Sequence, residues 1–225
     1  MVRSAVHIFI LTLPITLVKL HRIFASYPSA AYSPEVLLTH TEEHADAFRL
    51  EKGLVSVFTG HGKGKTSAAI GIAVRGAGWG ARVFMLGMMK GGDYAGEHGE
   101  YFILKNLPNV TVRYVGDRSW LRASPSKSAY RAAAKEELAA AKNAMVSGDY
   151  DIVIIDEINQ ATAKGLVDVA DVLDLINNRP EHVELILTGR DAAPEVVQAA
   201  DLVSEILMIK HPFTEGIRAR KGIDY

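Results

Sequence analysis

The chain has 225 residues and a formal net charge of −1. That length suits one α/β domain with an appendage and is enough to bury a full core, while the near-neutral charge excludes the overall basic character of a nucleic-acid binder. With no cysteine in the chain, disulfides and thiolate zinc sites are excluded, and a reducing cytoplasm fits.

Residues 1–52 differ from the rest. Ala5–Val18 is strongly apolar, follows Arg3 and is interrupted by Pro14. It is shorter than the roughly 20 residues that a membrane-spanning helix needs. Ser29-Ala30-Ala31 has the small side chains of a signal-peptide cleavage zone, and no acidic residue precedes Glu35, which also suits an organelle transit peptide. Three readings stand side by side: a targeting segment or surface anchor, a packed N-terminal helix, and an extension translated from an upstream start codon. Membrane contact is expected only if the apolar run has a role. Ser33-Pro34-Glu35 predicts a helix start, with proline at the first helical position, and the helix is expected to run through Leu50. Within it, His40-Thr41-Glu42-Glu43-His44 matches the inverted zinc-protease pattern. The two histidines would share a helical face, but there is no third ligand for zinc, so a solvated face is expected.

From Gly53 onward the pattern alternates. Strands are expected near 54–59, 82–88, 110–115, 151–156, 183–188 and 203–209. Helices are expected near 64–77, 97–106, 127–147, 166–177 and 194–200. Ala132–Ala144 is alanine-rich but carries Lys135, Glu136, Glu137 and Lys142, as a solvated helix does. Short apolar strands alternating with helices imply a mainly parallel six-stranded sheet covered by helices on both faces. The expected organisation is an extension over 1–52 and an α/β domain of P-loop NTPase type over 53–225.

The most informative stretch is Thr59-Gly60-His61-Gly62-Lys63-Gly64-Lys65-Thr66, directly after the apolar run Leu54–Phe58. Three glycines in five positions let the backbone turn its N–H groups toward one anion. Lys65 adds a positive charge, Thr66 a hydroxyl at the usual Mg²⁺ position, and Ser67-Ala68-Ala69-Ile70 opens a helix whose N-terminus favours phosphate. Strand, glycine loop, Lys-Thr and helix make a P-loop. It is a variant, because Thr59 stands where the general form has its first glycine. Asp151–Asp156 then reads as a buried strand ending in the carboxylates Asp156 and Glu157. In P-loop proteins such a strand is expected beside the one that feeds the loop, with its terminal acid reaching Mg²⁺ directly or through water. Asp156 and Glu157 point to opposite sides if the strand continues, so only one would be a direct ligand.

Thr188-Gly189-Arg190 follows another apolar strand, at the end where a parallel sheet lines its ligand crevice. Arg190 there can clamp phosphate oxygens or pair with Asp191. Asn177-Asn178-Arg179-Pro180 ends a helix, leaving Arg179 either toward the crevice or as a cap.

These motifs occur in one order with Arg75 and Gly78, Lys90-Gly91, Gly96-Glu97, and an ending that runs from Lys210-His211-Pro212-Phe213 to Gly222-Ile223-Asp224-Tyr225. Over about residues 53–225 the chain resembles the P-loop corrinoid adenosyltransferases, the BtuR/CobO/CobP family. The loop alone is shared by many NTPases, and the ending is much more specific. The resemblance implies transfer of the 5′-deoxyadenosyl group of ATP to the Co(I) of a reduced corrinoid, with release of triphosphate. It implies Gly60, His61, Gly62, Lys63, Gly64, Lys65, Thr66, Ser67 and Arg190 around the nucleotide, with Lys65 and Glu157 central to catalysis. Thr66 and Glu157 are the implied ligands of Mg²⁺ (or Mn²⁺), supported by Asp156. Co(I) is itself the nucleophile, so no catalytic base is required.

On the corrinoid side, similar enzymes place Phe-x-Trp over the cobalt. Aligning on Gly116 puts Trp120 at the tryptophan and Arg118 near the phenylalanine, where arginine lacks the apolar wedge. His61 replaces the usual asparagine or aspartate of the loop; it can donate to triphosphate or lie in solvent. Met88 and Met89 can touch the corrin or be buried strand residues. A cytoplasmic homodimer served by a flavoprotein reductant is expected, with cobyrinic acid diamide, cobinamide and cobalamin all open as substrates. Two other readings remain. One is a P-loop ATPase in which Glu157 activates water, and the other a non-catalytic corrinoid or nucleotide sensor, which the departure at Arg118 favours.

Overall fold

The computed structural model describes residues 48–89, 98–115 and 126–224. The chain divides at residue 43/44, and every described residue lies in the second unit. The N-terminal apolar run and the His40/His44 pair lie outside the described residues. Phe48–Leu50 are not helical, so the helix expected to reach Leu50 does not. Phe48 instead packs against the apolar cluster on one face of the sheet.

Element order follows the alternation of the sequence. It runs β1 Val55–Thr59, α1 Lys65–Gly78, β2 Val83–Gly87, α2 Gly99–Leu104, β3 Val110–Tyr114, α3 Lys127–Val146, β4 Ile152–Asp156, α4 Ile158–Ala163, α5 Val169–Asn177, β5 Glu184–Thr188, α6 Pro194–Ala199 and β6 Leu202–Glu205. A 3₁₀ turn, Pro212–Glu215, follows. The six strands form one sheet in the order β3-β2-β4-β5-β1-β6, and all five pairings are parallel. No helix among the described residues is long and apolar enough to cross a membrane.

The two-residue period of the strands sorts the core into two layers. Ile152 and Ile154 of β4, Val83 and Met85 of β2 and Ile186 of β5 face α1 and α2. Val153, Ile155, Phe84, Leu86, Leu185 and Leu187 face α3 to α6. α1 lies close to the sheet because its inner stripe is Ala69, Ala73 and Gly76; a Cβ on Gly76 would meet the Ile152 side chain at 2.4 Å. α3 starts on a hydroxyl cap, with Ser126 Oγ accepting from the Ala129 N–H at 3.2 Å.

Two strand expectations need correction. β4 does not lie beside β1: β5 pairs with both and separates them. Leu185, Ile186 and Leu187 are fully buried, so β5 belongs in the sheet interior, while β6 is exposed along its whole length and takes the edge. The strand expected over 203–209 stops at Glu205. The Ile206 N–H still donates to the Thr59 carbonyl at 2.9 Å, but the Ile206 carbonyl accepts from Gly62 of the glycine loop at 2.7 Å. That bond turns the chain out of the sheet. α4 was not expected from the sequence; its six residues are too few to show a helical period.

Tyr101 of α2 is 6% exposed, and its hydroxyl has no hydrogen-bond partner among the described residues. A buried donor without an acceptor costs about 1–3 kcal/mol. Tyr101→Phe keeps the ring and removes the donor, so a gain of about 1 kcal/mol in unfolding free energy is expected. A urea midpoint that falls would count against this description of the α2 packing.

Candidate functional site: a glycine loop and a buried carboxylate

β1 delivers the chain to the glycine loop at the C-terminal edge of the sheet. Thr59, in place of the first glycine, is the last residue of β1, and its hydroxyl accepts from the Ala192 N–H at 3.2 Å. The strand therefore runs one residue further than the general motif, and the turn begins at Gly60. All three loop glycines are required by geometry: a Cβ on Gly62 would sit 2.6 Å from the Leu207 carbonyl oxygen, and the other two have positive φ. Gly60 has φ 91°, and a Cβ there would sit 2.6 Å from the Ile206 carbonyl oxygen; Gly64 has φ 126° directly before α1. Lys65 folds back into the loop, donating to the carbonyls of Gly60 and Gly62 at 2.8 Å each. It is 6% exposed. Burial pushes its pKa below the usual lysine value; the Glu157 carboxylate opposes this and Arg190 adds to it. All of these charges act on the loop.

Strand register places the acid. Ile155 is level with Leu187, so the next pair along is Asp156 and Thr188. Both face the α1 side, by alternation from Ile154 and Ile186. There the Asp156 carboxylate, fully buried, accepts from Thr66 Oγ1 at 2.8 Å and from Thr188 Oγ1 at 2.5 Å. Gly87 of β2 is its neighbour on the other side and leaves it room. Glu157 leaves strand geometry with φ 61°, and its N–H donates to the Thr188 hydroxyl at 2.9 Å. The strand ends at Asp156, so the alternation expected of a continuing strand does not place Glu157; the left-handed turn does, with Asp156 under α1 and Glu157 on the wall of the cavity.

That cavity, about 850 Å³, is lined by His61 to Ser67, Glu157, Arg190, His98 to Glu100 and residues of the C-terminal segment. Its size lies in the upper part of the range for small-molecule sites. Among the expected nucleotide residues, His61, Gly62, Lys63, Gly64, Lys65, Thr66, Ser67, Glu157 and Arg190 all reach it. Gly60 shapes the loop from behind. Asp191 pairs with His61, Nε2 to Oδ1 at 3.3 Å, so of the two choices for Arg190 the structure favours the cavity. Arg179 is a turn residue: its guanidinium donates to the carbonyls of Pro180, Glu181 and Val183 at 3.1, 3.3 and 2.7 Å. Met88 is buried in the core. Trp120, with Gly116 and Arg118, lies outside the described residues, as do Lys90-Gly91, Gly96-Glu97 and Tyr225.

Sequence reasoning missed two contributors. Thr188 was visible only as the start of a Thr-Gly-Arg motif; its role depends on register. The C-terminal segment was noted for its resemblance, yet it forms a wall of the cavity and holds Lys63 through the Ile223 carbonyl, at 2.9 Å, and the Asp224 carboxylate. Thr188→Val should remove a donor to Asp156 and orphan the Glu157 N–H. A loss of about 1–3 kcal/mol in stability is expected, with weaker binding of the metal–nucleotide complex. An unchanged urea midpoint together with unchanged MgATP affinity would show that Thr188 does not hold the two acids.

The family described as ATP:corrinoid adenosyltransferase BtuR/CobO/CobP matches residues 51–225. A corrinoid adenosyltransferase of Pseudomonas aeruginosa is 33% identical over 178 residues, covering 79% of this chain and 86% of that protein. Those of Escherichia coli K12 and Salmonella typhimurium, the latter named corrinoid adenosyltransferase CobA, are each 33% identical over 175 residues, covering 78% of this chain and 87% of theirs. The match begins four residues before β1 and takes in the loop, both acids and the C-terminal segment, so the chain belongs to the BtuR/CobO/CobP family of ATP:corrinoid adenosyltransferases.

Proposed function

We infer that this chain is an enzyme that transfers the 5′-deoxyadenosyl group of ATP to the Co(I) of a reduced corrinoid, releasing triphosphate. Membership of the family along the whole described domain carries this reading. The chemistry asks little of side chains as acids or bases. The Co(I) electron pair forms the Co–C5′ bond, the C5′–O bond breaks, and its electrons leave with triphosphate. The protein has to align C5′ with cobalt and stabilise the charge that collects on the leaving group. The loop amides, Lys63, Lys65 and Arg190 are the positive groups gathered for that purpose. The Gly60 and Gly62 carbonyls hold Lys65 in place within the loop.

The donor set suits Mg²⁺. Thr66 Oγ1 and the Asp156 carboxylate already touch, and Glu157 lines the same cavity. These are hard oxygen donors. Among the described residues no group of three or more His, Asp or Glu forms a cage, so an ion here would need phosphate oxygens and water to complete its ligands. In this proposal Thr66 and Glu157 hold the ion and Asp156 orients Thr66. When bound, Mg²⁺ would offset negative charge on the triphosphate.

Further parts of the reading are proposals as well. Trp120 contacts the corrinoid. Residues 53–225 form the catalytic domain, with 1–52 as an N-terminal extension. The enzyme acts in the cytoplasm as a homodimer with a flavoprotein reductant.

Two measurements test the reading. Incubation with ATP and chemically reduced cobalamin should yield a light-sensitive adenosylated product and triphosphate, resolved by anion-exchange chromatography. Phosphate formed as the primary product without corrinoid would replace the reading with an ATPase. Lys65→Ala and Glu157→Gln should each lower kcat/KM by about 10²-fold or more, the scale of losing one electrostatic stabiliser; near-wild-type kinetics in both would mean the site lies elsewhere.

A further inference from the structure

Lys63 is the one lysine of the glycine loop that reaches outward, and the structure shows it occupied from within the chain. Its ammonium donates to the Ile223 carbonyl at 2.9 Å and pairs with the Asp224 carboxylate. Asp224 also accepts from the Arg220 N–H at 2.8 Å and from Arg220 Nε at 3.0 Å. The Asp224 N–H returns to the Arg220 carbonyl at 2.8 Å. A short turn of the tail therefore presents one carboxylate to the loop, where a phosphate oxygen is expected.

The rest of the segment is weakly anchored. The Pro212–Glu215 turn has no buried residue, and Phe213, Ile217 and Ile223 are exposed although they line the cavity. The segment adds nothing to either core layer. Its tie to the loop is an exposed charge contact, of the kind that contributes little and exchanges readily. A polyphosphate brings several negative charges to the same lysine, against one from Asp224.

We propose that residues 210–224 form a displaceable strap over the nucleotide loop, latched by Asp224 standing in for a phosphate oxygen on Lys63, and that a polyphosphate releases it. The proposal rests on the reading that triphosphate binds this loop. Protons are not the release signal at neutral pH. The Lys63 hydrogen bond, with those from Arg220, holds the Asp224 carboxyl well below the usual carboxylate range. Such a group contributes its stabilisation above the usual aspartate pKa and loses it only as pH falls through the depressed folded value. Competition between anions is the remaining route. It gives the enzyme an empty state with its loop charge neutralised internally, and a loaded state in which the strap is free to move.

The strap carries its own reporter, since Arg218, Arg220 and Lys221 are trypsin sites. Full-length protein is given a brief trypsin pulse with and without inorganic triphosphate, without metal or corrinoid, and the tail fragments are read by mass spectrometry. Triphosphate binding is measured in parallel by calorimetry. Triphosphate should accelerate cleavage at these three sites while core sites are cut no faster. Asp224→Asn should show the fast cleavage without triphosphate and bind triphosphate about two- to fivefold tighter, the range for releasing an exposed ion pair. Binding with unchanged or slower tail cleavage overturns the strap alone, as does wild-type cleavage of Asp224→Asn. Failure of the wild type to bind triphosphate overturns the strap, whereas the functional reading is judged separately by the adenosylation assay.

Discussion

The site is organised around one buried carboxylate. Asp156 ends the central strand β4 with no exposure to solvent, in a position where an uncompensated charge would be costly. Two hydroxyls compensate it, Thr66 from the start of α1 and Thr188 from the end of β5. Three elements distant in sequence are thereby tied at a single oxygen. The same hydroxyl of Thr188 accepts from the Glu157 N–H, so the turn that aims the second acid into the cavity hangs on this node. The helix whose N-terminus opens onto the cavity, the acid beneath it and the acid beside it share one set of hydrogen bonds.

Among the described residues, the other groups proposed for chemistry lie at the same edge of the sheet. Six parallel strands bring their C-terminal ends together, and the loops that follow β1, β4 and β5 carry Lys65, Glu157 and Arg190. The far end of the sheet is structural. Arg179 ties a turn there. Asp151 is held below the usual carboxylate range because hydrogen bonds from the Arg82 side chain and N–H outweigh the upward push of burial. This separation suits a reaction that needs positioning and charge more than proton transfer. The parallel sheet fixes the donors.

Electrostatics around the loop are balanced in advance. Lys65 is turned inward onto backbone carbonyls, Lys63 outward onto the tail, and His61 sideways onto Asp191. Both lysines of the loop have internal oxygen partners of the kind a phosphate can replace. The variant first position of the loop fits this arrangement. Thr59 spends its hydroxyl on the Ala192 N–H, joining the base of the loop to the segment that carries Arg190 and Asp191.

Much of this was legible in the sequence. The glycine loop between an apolar strand and an alanine-rich helix, the Ile-Ile-Asp-Glu strand end and the C-terminal signature identified the domain type and the family and singled out the candidate nucleotide residues, because each depends on residue type at short spacing. Strand and helix positions followed for the same reason, local periodicity being written in contiguous residues. Strand order was not legible: placing β5 between β1 and β4 depends on which apolar strand is buried from both sides. Nor was the role of Thr188, which exists only because the register sets it beside Asp156 across 32 positions. The contact between Lys63 and Asp224, 161 positions apart, likewise has no local trace. Sequence determined which chemical groups this protein owns and the local elements that carry them. Tertiary structure decided which of those groups meet, because hydrogen bonds and ion pairs are made across strands and loops whose proximity is set by the packing of the whole sheet.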